Sequence, residues 1–312
     1  NLLPLTTSRK YLTKVQLIKE PHINLLMDQV MSYKSILTSS LLLLVILCGC
    51  CTSSCVYKKG SKAMSQQEVN FKDFTAINAN RGLDLEITQG AEYSVSVSAP
   101  EKYMDDVKIE QKGETLYISL KQDVKRSLDT DDITIHISMP YITKIDLAGA
   151  TEACFIGRFE APQFTAHLSG SSEIEDLAIV ADEVSIEASG ASDVSGTVQA
   201  KRAMANLAGA SELDIIANQL GQMTMQLSGG SSAELKGAIF NLQATLAGAS
   251  EIDGEELTVS DLDISLAGAS SAEIRNSGNL RYKLAGASEL TIYGSPRVLD
   301  SQSDRSSSID IR

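Results

Sequence analysis

Apolar and polar residues alternate along most of this chain from residue 71 onward. Leu83-Asp-Leu-Glu-Ile87, Tyr93-Ser-Val-Ser-Val97, Leu116-Tyr-Ile-Ser-Leu120 and Ile133-Thr-Ile-His-Ile137 each keep a strict period of two, which is the pattern of a strand with one buried face. Turn signals at Gln89-Gly90 and Lys112-Gly113 fall between them. Further on, the alternation is locked to a recurring phrase: a small residue, Gly, a small residue, Ser or Thr, and usually an acid. Eight copies centre on Gly149, Gly170, Gly190, Gly209, Gly229, Gly248, Gly268 and Gly286, spaced 21, 20, 19, 20, 19, 20 and 18 residues apart. Two residues before each glycine stands Leu, or Ala at position 188. Four before it are apolar residues such as Ile145, Ile186, Met225 and Ile264, and between these lie polar ones: Asp146, His167, Glu187, Asn206, Gln226, Thr245, Ser265 and Lys283. Four residues after each glycine the column is apolar again, from Ala153 to Leu290.

A period near twenty predicts a solenoid in which each repeat is one coil stacked on the last. Each coil is expected to hold a strand, a tight corner at Gly-small-Ser, a second strand, and room for a short third strand such as Leu257-Thr-Val-Ser260. A crossover helix does not fit, because a crossover alone needs about a dozen residues. The pattern therefore predicts an all-β, parallel β-helix with coils of about 20 residues. The alternative, a leucine-rich repeat, lacks its Asn position and helix-compatible stretch. Glycine at the corner marks a backbone position that side chains resist, and its Ala and Ser neighbours are small enough to stack. The column of Ser172, Ser192, Ser211, Ser231, Ser250, Ser270 and Ser288, begun by Thr151, is expected to form a hydroxyl ladder between coils.

Composition agrees with a thin core. The 312 residues include no Trp, 5% aromatics and 43% hydrophobic residues, with 21% charged, so the chain is not of the disordered class. The N-terminus adds a separate signal. From Met31, Lys34 supplies a basic start and Ile36 to Leu47 an apolar stretch too short to span a bilayer. It ends in Leu47-Cys48-Gly49-Cys50, which resembles the lipobox of bacterial lipoproteins. Cys50 is the expected lipidated residue; Cys48 would put Leu47 at the cleavage position, and Cys51 would put Cys48 where an aliphatic residue is preferred. On this division residues 1–30 are an over-extended start, 31–49 a lipoprotein signal peptide and 50–68 the lipidated Cys and tether. Residues 69–312 form the β-helix domain: 69–145 N-terminal strands, 146–293 Gly-Ala-Ser-Glu coils, and 294–312 a C-terminal end. The other reading of the leader is an uncleaved anchor. Four of the five cysteines cluster at the processing site and only Cys154 lies in the domain, a spacing that supports neither a disulfide framework nor a zinc site. Residues 1–49 hold five Lys/Arg and two Asp/Glu, so the remainder has 22 bases, 38 acids and a net charge of −16. Such a surface repels nucleic acid and anionic headgroups, leaving the acyl chains as the membrane contact.

Phe74-Thr-Ala-Ile77, Leu83-Asp-Leu-Glu-Ile-Thr-Gln-Gly90 and Tyr93-Ser-Val-Ser-Val97, followed by the Gly-Ala-Ser-Glu repeats and a closing Gly294-Ser-Pro-Arg-Val298, resemble the family called putative auto-transporter adhesin, head GIN domain. The resemblance covers about residues 71–312. It implies a right-handed β-helix-like fold and a cell-envelope location in Bacteroides and their relatives, as an outer-membrane lipoprotein. It supplies no catalytic residues. Surface-exported lipoproteins of that group carry acids just after the lipidated Cys, whereas here Cys51-Thr-Ser-Ser-Cys55 and Lys58-Lys59 follow, so the periplasmic and surface sides both stay open.

The candidate ligand face is acidic. Three residues after the glycines stand Glu152, Glu173, Asp193, Glu212, Glu251 and Glu289, and where Ser232 and Ser271 interrupt this file, Glu234 and Glu273 stand two places on. Stacked coils put neighbouring carboxylates roughly 5 Å apart, a repulsion of about 0.8 kcal/mol per pair in water. A weak Ca²⁺ or cationic-ligand stripe would relieve it; the plainer role is a solvated face whose like charges oppose aggregation. No cofactor is otherwise expected. Enzyme chemistry has little support: His22, His136 and His167 form no triad, no His or Lys recurs at a fixed offset from the Ser column, and the glycines are too dispersed for a phosphate loop. The expected function is a non-catalytic binding, adhesion or structural module with a glycan or envelope protein as ligand. The alternative is a polysaccharide-active β-helix lyase or hydrolase.

Overall fold

The computed structural model describes residues 64–121 and 133–312. They form nineteen strands in one sheet system and a single short helix. The N-terminal part contains β1 (Met64–Val69), β2 (Ala76–Asn80), β3 (Asp84–Gln89), β4 (Ser94–Pro100), α1 (Glu101–Met104), β5 (Val107–Lys112), β6 (Thr115–Leu120), β7 (Thr134–Met139), β8 (Lys144–Gly149) and β9 (Glu152–Ile156). The repeats follow as β10 (Phe159–Gly170), β11 (Glu173–Gly190), β12 (Asp193–Gly209), β13 (Glu212–Gly229), β14 (Ser232–Gly248), β15 (Glu251–Gly268) and β16 (Ser271–Gly286). The chain closes with β17 (Glu289–Tyr293), β18 (Arg297–Ser303) and β19 (Ser308–Ile311). The architecture is a β-solenoid of about 8 turns with coils of about 20 residues.

Every glycine pairs with its equivalent one coil away: Gly170 with Gly149 and Gly190, then Gly209, Gly229, Gly248, Gly268 and Gly286 in succession, all in parallel register. The three strands expected per coil are instead one. β11 to β16 run 16 to 18 residues from the position after one corner to the next glycine, and they bend at register shifts such as Ile174/Leu177 and Ala217/Leu220. Gly209 shows why the corner excludes side chains. Its φ is +87°, and a Cβ there would lie 2.5 Å from the Gly190 carbonyl oxygen, so a substitution meets both a left-handed backbone and the coil beneath it.

The serine column behaves differently from the expected ladder. Ser211 Oγ donates to the Ala208 carbonyl at 3.0 Å, Ser250 Oγ to Ala247 at 2.9 Å, and Thr151 Oγ1 to Ala148 at 2.9 Å. From Thr151 to Ser270 each hydroxyl closes its own corner, because the carbonyl three residues back is within reach of a side chain turned inward; at the last corner Ser288 Oγ is buried without a partner. Backbone amides make the bonds between coils: Ala210 N to Gly190 O at 2.7 Å and Glu212 N to Ser192 O at 3.0 Å. The hydroxyls are nonetheless buried, with Ser211 1% exposed. Below them run continuous apolar files such as Leu207, Leu227, Leu246 and Leu266, all buried. Parallel stacking on both sides of that file is what a core one coil wide requires.

The N-terminal strands do not stack in chain order. β2 pairs in parallel with both β6 and β8, and β3 with both β7 and β9. The coil made by β2 and β3 is therefore inserted between the β6/β7 layer and the β8/β9 layer, although it comes first in the chain. It also has a corner of its own. Arg81 (φ 76°) and Gly82 (φ 70°) take the left-handed positions beside Gly149, and Arg81 N donates to Ala148 O at 3.2 Å. Antiparallel strands extend this end: β5 on β6, β4 on β7, and β1 on β4. Residues 64–68, tether-like in composition, thus already belong to a paired strand. At the other end Asp304 closes the last corner, its Oδ2 accepting from Gly286 N at 2.7 Å and its Oδ1 from Ser306 N and Ser307 N.

Candidate functional site

The solenoid turns two outward faces from each corner. Residues after the glycine build the acidic one. Glu152, Glu173, Asp193 and Glu212 are successive partners in register, continued by Ser232, Glu251, Ser271 and Glu289. Glu234 and Glu273 lie in the neighbouring file with Asp214 and Asp253. All eight predicted acids therefore share one face, in two parallel files two residues apart along the strands.

Their surroundings differ along it. Partial burial, then Glu175, Glu152 and Asp193, push the Glu173 carboxyl up to about 6. Glu234 is paired with Lys236. The Tyr293 hydroxyl lies 2.8 Å from Glu273 Oε2 and 2.9 Å from Glu255 Oε1, and its single proton serves one carboxylate at a time. Among the described residues no group of three or more His, Cys, Asp or Glu is placed to hold a metal ion. The reason is geometric: a flat ladder sets its carboxylates in line, whereas Ca²⁺ needs about 6–8 oxygens converging on one point.

Residues before the glycine build a second face whose significance the sequence pattern does not disclose. Its columns alternate bulk. The residue directly before each glycine is Ala or Ser, and two places earlier, from Asp146 to Gln226, stands a longer polar side chain. The difference in height leaves a trough of about 560 Å³. Asn78, Asp146, His167, Glu187, Asn206 and Gln226 form one wall, and Ser169, Ser189 and Ala208 lie along the floor. These positions belong to β2, β8, β10, β11, β12 and β13, so the trough crosses six stacked strands. Its near end is a connected network. His167 Nδ1 lies 2.9 Å from Asp146 Oδ1, His167 Nε2 3.5 Å from Glu187 Oε2, Lys144 Nζ 2.9 Å from Asp146 Oδ2, and Asn78 Nδ2 donates to Asp146 Oδ2 at 3.5 Å. Burial pushes the Asp146 carboxyl up, but Lys144, His167 and Asn78 outweigh it and hold the group below the ordinary carboxylate range. Farther along, Asn206 Oδ1 is shielded from solvent with no hydrogen-bond partner.

The two histidines of the domain lie on outward strand positions, and each meets a carboxylate one coil away: His167 as above and His136 through Glu86, at 2.6 Å. Cys154 is buried and disulfide-bonded, a bond that cysteine spacing alone did not indicate; the other four cysteines all precede the described residues. The predicted lipidation site Cys50 and the signal-peptide reading also lie outside the described residues. Among those described, no helix is long and apolar enough to cross a membrane.

Comparison with known proteins gives the same architecture. The family model described as putative auto-transporter adhesin, head GIN domain, matches residues 73–233 and again 193–296. Among solved structures, a putative adhesin from Parabacteroides distasonis superposes with a TM-score of 0.61 at 16% identity, covering 81% of this chain and 98% of that one. A putative adhesin from Parabacteroides merdae gives 0.55 at 14% identity, with the same coverage of 81% and 98%. A putative lipid binding protein from Parabacteroides distasonis gives 0.54 at 18% identity, again covering 81% and 98%. At such identities these structures share the fold. No curated protein matches the chain.

Proposed function

The chain belongs to the putative auto-transporter adhesin, head GIN domain family, and from that premise we propose that it is a non-catalytic binding module of the bacterial cell envelope. It is held at the outer membrane by acyl chains on Cys50 and presents the solenoid to a glycan or an envelope protein. The observation that carries this reading is the pair of long outward faces. Both cross many coils in unbroken register, and the even spacing of the corner glycines leaves no insertion between coils to build an enclosed cleft. Solenoids use such extended surfaces for recognition. The neighbours described as adhesins and as a lipid binding protein support a binding role, and the lipobox at Leu47-Cys48-Gly49-Cys50 supports the anchor. Nucleic acid is disfavoured as a partner by a net charge of −13.

The test uses the full chain produced in a Bacteroidales host. Wild type is expected in the outer-membrane fraction, and Cys50→Ser is expected to leave it. Protease treatment of intact cells decides which side of the membrane the solenoid faces. The purified domain, incubated with a panel of polysaccharides and envelope extracts, is expected to retain a ligand without generating new chain ends. Release of shortened saccharides would replace this reading with the polysaccharide-active alternative.

A further inference from the structure

We propose that the trough before the corner glycines, and not the acidic face, is the ligand site, and that it takes a neutral glycan lying along the solenoid axis. The inference rests on the reading of the chain as a binding module and gives that reading a site and a ligand class.

Shape selects an extended occupant. The trough is open, about 560 Å³ in volume, and crosses six stacked strands, which places it within the size range of small-molecule sites. Its floor of Ser169, Ser189 and Ala208 keeps side chains out of the path. Coils recur about every 4.8 Å, comparable to the length of one pyranose unit in an extended chain. Each sugar would thus meet one new wall residue.

Chemistry selects an uncharged, hydroxyl-rich one. Amides and carboxylates put both donors and acceptors along the wall, as vicinal hydroxyls require. Asp146 is already compensated by Lys144 and His167, so this part of the wall does not attract a cation. A cationic ligand would be better served by the acidic face. An anionic one would meet Glu187 on a chain of net charge −13. A peptide strand has nothing to pair with, because backbone groups in the middle of a stacked sheet are spent on neighbouring coils and only side chains face outward.

Asn206 supplies the independent sign of an incomplete network. Its Oδ1 is shielded and unpartnered, so the free protein has already met the desolvation of that group. A ligand hydroxyl donating to it, after a small turn of a soft amide torsion, would form a bond at reduced cost.

The experiment measures binding of cellohexaose and chitohexaose, with polygalacturonate as the charged control, by glycan array and calorimetry. Ala208→Tyr fills the floor at an exposed position, Asn206→Ala removes the unpartnered amide, and Glu212→Gln with Glu251→Gln neutralises the acidic face. Circular dichroism melting confirms that each variant is folded. Wild type is expected to retain a neutral hexasaccharide, Ala208→Tyr to weaken it about tenfold or more, and Asn206→Ala to weaken it several-fold, while the acidic-face pair leaves it unchanged. A neutral glycan lost from the acidic-face pair but retained by folded Ala208→Tyr overturns the site. No neutral glycan retained by wild type overturns the ligand class. Capture of an envelope protein or a charged glycan in that last case leaves the binding-module reading standing, whereas capture of nothing removes both.

Discussion

Asn206 and Glu212 lie three residues to either side of Gly209, on opposite outward faces of one corner. Their columns share a backbone, a register and a coil spacing, yet their electrostatics oppose each other. After the glycine, carboxylate follows carboxylate, and Glu173 holds its proton to about pH 6 because it is partly buried among like charges. Before the glycine, Asp146 has Lys144, His167 and Asn78 around it and loses its proton more readily than usual. One face is kept apart from its own kind by repulsion. The other is a compensated network with a trough beside it. A solenoid can therefore carry two electrostatically opposite faces within a single repeat.

The largest expected effect breaks the comparison altogether. Gly209→Val puts a branched side chain at φ +87° against the Gly190 carbonyl, a cost of roughly 3 kcal/mol or more from the left-handed backbone and the displaced coil. The urea midpoint should fall sharply and both faces should be lost together; a midpoint equal to wild type would show that the corner does not hold them. Ser211→Ala is milder. It removes one hydroxyl bonded within its own corner, worth about 1 kcal/mol, and a much larger drop in the urea midpoint would mean that the hydroxyls link coils after all.

The subtlest test sets the faces against each other by pH. The Glu173 carboxyl, ordinarily near 4.5, titrates near 6 in the folded protein. The folded state therefore binds its proton more tightly, so this contribution is full below about pH 4.5 and is lost as pH rises through about 6. Asp146 has the opposite sign: its folded value lies below the ordinary 3.8, so its contribution is present above that pH and is lost as pH falls below it. Glu173→Gln should flatten the stability profile between pH 4.5 and 6, and Asp146→Asn should flatten it below pH 4. Thermal melts across this range that show both substitutions acting in the same window would collapse the distinction between the faces.

Much of this was legible in the residues. Leu207, Leu227 and Leu246 announce a buried file by position alone, and the acids Glu152 to Glu289 announce an exposed one, because a period of two fixes the side a residue takes once its neighbour is known. Other features were not. The hydroxyls of Ser211 and Ser250 satisfy an acceptor in their own corner instead of the next coil, a choice set by which carbonyl is nearer. Arg81 fills a left-handed corner position that elsewhere takes glycine, so the inserted β2/β3 coil carries no phrase by which to recognise it. The trough escapes notice for a related reason: Ser189, Ala208, Glu187 and Asn206 are each ordinary surface residues, and only their relative height makes a groove.

The sequence by itself determined the coil: its period, its corner, its buried and exposed columns, and the family to which the chain belongs. Those are local properties, repeated eight times, and repetition makes a weak local preference unmistakable. The tertiary structure alone decided the order in which the first layers stack, the partner each polar group chose, and the place where small and large columns meet to leave a trough. Those depend on contacts between residues about twenty or more positions apart, and the free energy that selects among them exists only once the coils are stacked.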